Sequence, residues 1–195
     1  MKHLMVKILF ALLPLMGLQA ADPAPKHYPA VILGGGPGAL TSALYLSRFG
    51  VVPLVIEGEL VGGRISQSHK VQNWPGELEI AGTELTEKLR NQVVANGAVL
   101  LSEKVTRVDL SSRPFTFTTQ SLFDPSKKNV FTADVCIIAM GTKPNLLGVP
   151  GEKEFWGKGV TNCAVCDGPL MKDKAVVIVG GGDAALLEAE YLSQI

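Results

Sequence analysis

Cysteine is scarce, with three in 195 residues at positions 136, 163 and 166. An odd, small set excludes the disulfide framework on which small secreted domains rely. Histidine is equally sparse: His3, His27 and His69 are scattered, and with so few cysteines they do not assemble the four ligands of a structural zinc site. Net charge is missing as well. Eighteen Lys and Arg are offset by 18 Asp and Glu, so no field draws the chain to nucleic acid, and nucleic-acid partners are set aside. A membrane-spanning stretch is also lacking. The apolar run from Ile8 to Leu18 is short for a bilayer and contains Pro14, which disfavours a permanent transmembrane helix.

What is present is a chain that is 47% hydrophobic, enough to bury a core and long enough for one domain or one and a fraction. Lys2 and Lys7 precede the apolar run, and Gln19-Ala20-Ala21-Asp22 offers a small-residue exit. Residues 1–20 therefore read as a secretory signal peptide cleaved after Ala20, with an exported product that needs no membrane afterwards. The alternative is translation from Met16, which deletes most of the run and leaves a cytoplasmic protein. Residues 21–29, with Asp22-Pro23-Ala24-Pro25, form a linker.

The 21 glycines gather in Gly34-Gly35-Gly36, Gly62-Gly63 and Gly180-Gly181-Gly182, a clustering that points to backbone approaching a ligand. Ala30–Leu33 reads as a short buried strand ended by Gly34, followed by a helix from Gly38 to Phe49 stopped by Gly50, then a strand Pro53–Ile56 ended by Glu57. A second helix is expected over Thr83–Asn96, with Leu85, Leu89 and Val93 at four-residue spacing. Val105–Leu110 and Pro114–Thr119 alternate as half-buried antiparallel strands, and Asp124–Asn129 is a polar turn. Ala133–Met140 is more continuously apolar and should be central. Lys174 opens a repeat of the first unit: a strand Ala175–Val179, the glycine cluster, and a helix through Leu186 and Leu192. The fold class expected is α/β, with two Rossmann-like, doubly wound dinucleotide-binding domains and an antiparallel β insertion. The second domain is incomplete, since Ile195 falls in its first helix and one strand with one helix cannot bury a core. On this reading residues 30–147 are the first domain, residues 148–195 begin the second, and the sequence is a fragment.

Gly34-Gly35-Gly36-Pro37-Gly38-Ala39 fits G-x-G-x-x-G/A. The first glycine permits the tight turn, Gly36 lets a pyrophosphate approach, and Ala39 takes the close helix–strand contact. Glu57, 23 residues beyond Gly34, stands where a carboxylate accepts hydrogen bonds from ribose hydroxyls; the competing reading is a solvated strand-end charge. Cys163-Ala164-Val165-Cys166-Asp167-Gly168 is the most specific feature. Two thiols at this spacing can close a small disulfide loop and cycle between oxidised and reduced states, with Asp167 as a proton donor or acceptor. The competing readings are half a zinc site and a purely structural disulfide. Cys136 reads as a small buried hydrophobe, and His69 as a surface residue. Trp74 and Trp156 are read first as packing beside Pro75 and Gly157, with stacking on a flavin as the alternative.

Taken together, Gly34-x-Gly36-Pro37, Gly62-Gly63, Val71–Gly76, Ile138–Thr142, Gly148–Glu152, Trp156-Gly157-x-Gly159-Val160, the cysteine centre and Gly180-Gly181-Gly182-Asp183-x-Ala185 resemble low-molecular-weight thioredoxin reductases from Ala30 to Ile195. The resemblance implies an FAD domain interrupted by a nicotinamide domain that carries the cysteine pair, with electrons passing from NADPH through the flavin to the pair and on to thioredoxin or a thioredoxin-like protein disulfide. It implies that Cys166 is the thiol nearest the flavin, Cys163 the interchange thiol and Asp167 the acid–base group. Gly34, Gly36, Pro37, Gly38, Ala39, Glu57, Gly63, Asn73 and Gly141 match the flavin segments, and Gly180, Gly182, Asp183 and Ala185 the second nucleotide turn. A homodimer is implied for the full-length protein. Two departures stand out. Arg64 replaces the family's usual Gln after Gly62-Gly63 and brings a cation near the flavin. The family's basic motif for the NADPH 2′-phosphate and its Ala-Gly-Asp flavin segment belong beyond Ile195, so the choice of NADPH over NADH stays open. The competing functional reading is a catalytically incomplete nucleotide-binding remnant.

Overall fold

The computed structural model describes residues 24–195; the expected signal peptide, the alternative start at Met16 and His3 lie outside the described residues. No helix among the described residues is long and apolar enough to cross a membrane.

A six-stranded mixed sheet organises residues 26–138, with strand order β3-β2-β1-β6-β5-β4. Its strands are β1 (Lys26–Leu33), β2 (Pro53–Ile56), β3 (Val99–Leu101), β4 (Glu103–Asp109), β5 (Phe115–Ser121) and β6 (Lys128–Ile138). β1 pairs in parallel with β2 and with β6, and β2 in parallel with β3. β4, β5 and β6 form an antiparallel meander. The fold is thus α/β, with a parallel half that carries the helices and an antiparallel half inserted after it. α1 (Pro37–Arg48) and α2 (Gly82–Ala95) complete the crossovers.

The helices end where the sequence indicates. Gly50 and Gly97 follow α1 and α2 with φ of 81° and 96°, a left-handed backbone that costs glycine nothing. The alternation of β1 and β2 splits the core between two faces. Val31, Leu33, Leu54 and Ile56 meet Phe117 and Ala133 on one face. Ile32 and Val55 meet Ala39, Leu40, Ala43 and Val93 on the helical face. Cys136 packs half-buried on the first cluster, where burial pushes its thiol pKa up.

Three readings change. β1 begins at Lys26, four residues ahead of Ala30, because β6 is long enough to pair with it from Phe131 onward. β3 was not anticipated: three residues show no resolvable alternation, and only the open edge of β2 makes them a strand. The expected strand Ala175–Val179 is not a strand. No neighbouring strand reaches it among the described residues, and Val177 and Val179 are 86% and 65% exposed. Among the described residues its N–H and C=O groups have no ladder partner. The helix after it does form, as α4 (Asp183–Leu192).

Candidate nucleotide and dithiol site

The parallel strands β1, β2 and β6 all end at one edge of the sheet, and the first glycine turn sits there. Gly34 donates its N–H to the Ile56 carbonyl at 2.9 Å, and Ala139 donates to the Leu33 carbonyl at 2.8 Å, so the turn is pinned between two strand ends. Gly34 has φ of 122°, and a Cβ on it would fall 2.2 Å from the Ala139 carbonyl oxygen. Gly36 caps α1 with Pro37 in the first turn, and Leu40 donates to the Gly36 carbonyl at 3.0 Å. The N–H groups of Gly38 and Ala39 then lack intrahelical acceptors, and no acidic residue occupies that turn, an arrangement that suits an anion. Ala39 is fully buried under the turn.

A second glycine loop closes on the first. Gly63, at φ 70°, approaches so closely that a Cβ on it would lie 2.7 Å from the Gly36 Cα. The loop leads into a 3-10 turn, Arg64–Gln67, on which the start of α2 rests: Gly82 donates to the Ser68 carbonyl at 2.9 Å. Asn73 is exposed just before Trp74, which packs against Val71, Ile80 and Leu85. Gly141, at φ 66°, lies exposed shortly after β6. His69 is exposed.

Glu57 is not a solvated strand-end charge. Its side chain is 0% exposed and is held by Arg90 of α2, whose Nε donates to Oε1 at 2.8 Å and Nη2 to Oε2 at 3.0 Å. Ser102 Oγ donates to Oε2 at 3.0 Å. The Glu57 N–H is taken by the Leu101 carbonyl at 2.9 Å. Sequence reasoning missed Arg90 and Ser102. Nothing local marks them, because the contacts span 33 and 45 residues. Nearby, the Lys104 ammonium, by its hydrogen bond and its charge, holds the Glu59 carboxyl below its ordinary value.

The two cysteines are joined: Cys163 and Cys166 form a disulfide across a Cα–Cα distance of 5.3 Å. Thr161 Oγ accepts from the Cys163 N–H at 3.1 Å, and the Asp167 N–H donates to the Cys163 carbonyl at 3.1 Å, closing the single turn α3 (Ala164–Asp167). The Cys166 N–H points at Cys163 Sγ, 3.3 Å away. Cys166 is exposed, while Cys163 and Asp167 are half-buried. Gly168 lets this turn rest on α4, since a Cβ there would lie 2.9 Å from Leu192. Asn162, just before the pair, accepts from Arg64 Nη2 at 3.5 Å, so the departure at Arg64 touches the segment that enters the cysteine turn. Upstream, the buried Glu152 carboxylate accepts the N–H groups of Leu147 and Gly148 at 2.8 and 2.7 Å and closes that loop.

The second glycine turn is open. Gly180 has φ of 147°, with only the Ala185 Cβ near it, and Gly181 and Gly182 have no neighbour within 4 Å of a Cβ. Gly182 caps α4, and Asp183 puts a carboxylate in its first turn. No group of three His, Cys, Asp or Glu among the described residues is placed to hold a metal ion.

Among known proteins, the chain is 39% identical over 176 residues to a thioredoxin reductase of Yarrowia lipolytica, covering 86% of this chain and 54% of that one. It is 42% identical to a thioredoxin reductase of Chlamydia trachomatis over the same shares. The solved thioredoxin reductase of Giardia duodenalis superposes with a TM-score of 0.78 at 40% identity, over 87% of this chain and 53% of that one. The chain therefore spans about half the length of the relatives it matches. The description "Pyridine nucleotide-disulphide oxidoreductase" fits residues 28–195. A match of that extent, starting within β1 and running through both glycine turns and the cysteine pair, makes the chain a member of the pyridine nucleotide-disulphide oxidoreductase family.

Proposed function

We propose that the chain carries the flavin site and the dithiol of an FAD-dependent disulfide reductase of the thioredoxin reductase type. The observation that supports this best is the closed Cys163–Cys166 disulfide in the same chain as an enclosed glycine turn. The residues fit FAD. Gly34, Gly36 and Pro37 shape the turn, the Gly38 and Ala39 N–H groups at the start of α1 are left for the pyrophosphate, Gly63 closes on the turn from the facing loop, and Gly141 follows β6, while Asn73 is assigned on the resemblance alone. Gly180, Gly182, Asp183 and Ala185 form the turn assigned to NADPH, or to NADH in its place.

The bound flavin supplies the two-electron relay between the nicotinamide and the disulfide. The chain's residues do the rest. With the flavin bound, Cys166 would be the sulfur nearest it, Cys163 would attack the disulfide of thioredoxin or a thioredoxin-like partner, and Asp167 would exchange the proton of the departing thiol. One two-electron cycle opens the Cys163–Cys166 bond to two thiols and closes it again as the partner's disulfide is reduced. The full-length protein works as a homodimer. Residues 1–20 direct export with cleavage after Ala20, which mass spectrometry of the mature N-terminus tests; a product starting at Met16 overturns it.

The decisive experiment is Cys163→Ser in the full-length protein. NADPH still reduces its flavin, and transfer to the protein disulfide is lost by at least about a thousandfold, as when a nucleophile is removed. Unchanged turnover sinks the assignment. A second reading is a nucleotide-binding remnant without turnover. It requires a protein with neither a stoichiometric flavin spectrum nor NADPH-dependent disulfide reduction.

A further inference from the structure

We propose that Arg64 is a positioning residue for the dithiol. Its guanidinium holds Asn162, and with it the cysteine turn, against the glycine loop that closes on the first nucleotide turn. The purpose of that hold, keeping Cys163 and Cys166 close to a flavin at this turn, rests on the proposed function; the contact does not.

Arg64 Nη2 donates to Asn162 Oδ1 at 3.5 Å, across 98 residues of sequence. Among the described residues, no other hydrogen bond and no ion pair joins residues 26–138, which form the sheet and its helices, to residues 148–195. Arg64 also makes no ion pair among the described residues. Its charge is therefore available to strengthen the one hydrogen bond it donates.

Both ends of the contact are anchored. On the loop side, a Cβ on Gly62 would lie 2.7 Å from Thr86 Oγ1, and one on Gly63 would lie 2.7 Å from the Gly36 Cα. Ser66 Oγ donates to the Gly63 carbonyl at 2.7 Å. The backbone that carries Arg64 thus cannot shift without disturbing α2 or the cap of α1. On the cysteine side, Asn162 adjoins Cys163, whose N–H and carbonyl are tied to Thr161 and Asp167. Glu188 of α4 accepts the Ala164 N–H at 3.5 Å, and Gly168 packs on Leu192. The turn moves as one piece with α4, and Arg64 supplies its hold from the sheet. The choice of residue matters because 3.5 Å is already the far limit of a hydrogen bond. A glutamine here is shorter as well as neutral and leaves Asn162 unheld.

Hydrogen exchange of the oxidised full-length protein tests this in Arg64→Met, Arg64→Gln, Arg64→Lys, Asn162→Ala and the double variant Arg64→Met/Asn162→Ala. In Arg64→Met, Arg64→Gln and Asn162→Ala the amides of Cys163 and Asp167 exchange about fivefold faster, as loss of one exposed charge-assisted bond allows. Val31–Leu33 exchange as in the wild type. The double variant is no faster than either single one, since both remove the same contact. Arg64→Lys, which keeps the charge and most of the reach, recovers most of the protection. In turnover, kcat falls in Arg64→Met while the KM for NADPH and the midpoint potential of the bound flavin stay unchanged. Wild-type exchange in Arg64→Met overturns the proposal, as do effects that multiply in the double variant. A shifted flavin potential with an undisturbed cysteine turn also overturns it, because the cation then acts on the flavin. A wild-type protein without a flavin spectrum overturns the proposed function instead, and the exchange comparison still decides the contact.

Discussion

Two stretches of the sequence, Ala30–Ala39 and Ala175–Ala185, spell a strand-glycine-helix unit in nearly the same wording, and they differ in what surrounds them among the described residues. The first turn is wedged between the ends of β1, β2 and β6, so that a single methyl group at Gly34 would collide with the Ala139 carbonyl. The second has open space around Gly181 and Gly182 and an extended lead-in that pairs with nothing among the described residues. The helices form in both units, because an α-helix satisfies its own backbone. The strand forms only in the first, because a strand needs a neighbour. A glycine fingerprint therefore states that a turn is permitted, and the flanking strands decide whether it becomes a rigid cradle.

That contrast can be broken most forcefully at the turns themselves. Gly34→Ala must relieve both a positive φ and a backbone clash, and we expect a loss of about 3–4 kcal/mol in urea unfolding. Gly181→Ala should stay within about 0.5 kcal/mol, the range of open surface positions. Equal losses would show that the second turn is as confined as the first.

Hydrogen exchange sharpens the contrast next. The amides of Val31–Leu33, in a central strand flanked on both sides, should exchange at least about a hundredfold more slowly than those of Val176–Val179, which have no ladder. Comparable protection would mean that Ala175–Val179 finds a partner strand in solution.

The smallest effect concerns the antiparallel arm between the units. Hydrogen bonds from the Ser111 hydroxyl and backbone N–H hold Asp109 below its ordinary value of 3.8, and Ser126 does the same for Asp124. A carboxyl with a depressed folded-state pKa contributes stability that is present above 3.8 and is lost as pH falls through the lowered value. Ser111→Ala should move the Asp109 carboxyl resonance back toward its ordinary titration and leave Asp124 unchanged. A shared shift would tie the two turns together.

Much of the first unit was legible in the sequence. The glycine spacing, the four-residue period of Leu85, Leu89 and Val93, and the turn at Asp124–Asn129 are local signals, and each marks a feature that the structure contains. The central place of β6 followed from its apolar run. What escaped was non-local. Val99–Leu101 becomes a strand only because β2 has a free edge, and Lys26 joins β1 only because β6 extends to meet it. At the candidate site, the glycines and the cysteine pair carry their spacing within a few residues. Glu57 was placed correctly at the strand end, but its surroundings were not, since the ion pair that encloses it arrives from a helix 33 residues away. Ala175–Val179 failed in the opposite direction: its composition is that of a buried strand, and composition cannot say whether a neighbour stands beside it.

The meeting of Gly36 and Gly63 is lopsided, and this bears on how the two positions can drift. A Cβ added at Gly63 would press to 2.7 Å on its neighbour's backbone, whereas one added at Gly36 would rest at an ordinary 3.8 Å. In a variant library selected only for folding, position 36 should therefore fill with alanine and serine while position 63 stays glycine. Selected for cofactor retention, both should stay glycine. The substitutions that survive the first selection and vanish in the second would trace the outline of the bound nucleotide without a crystal of the complex.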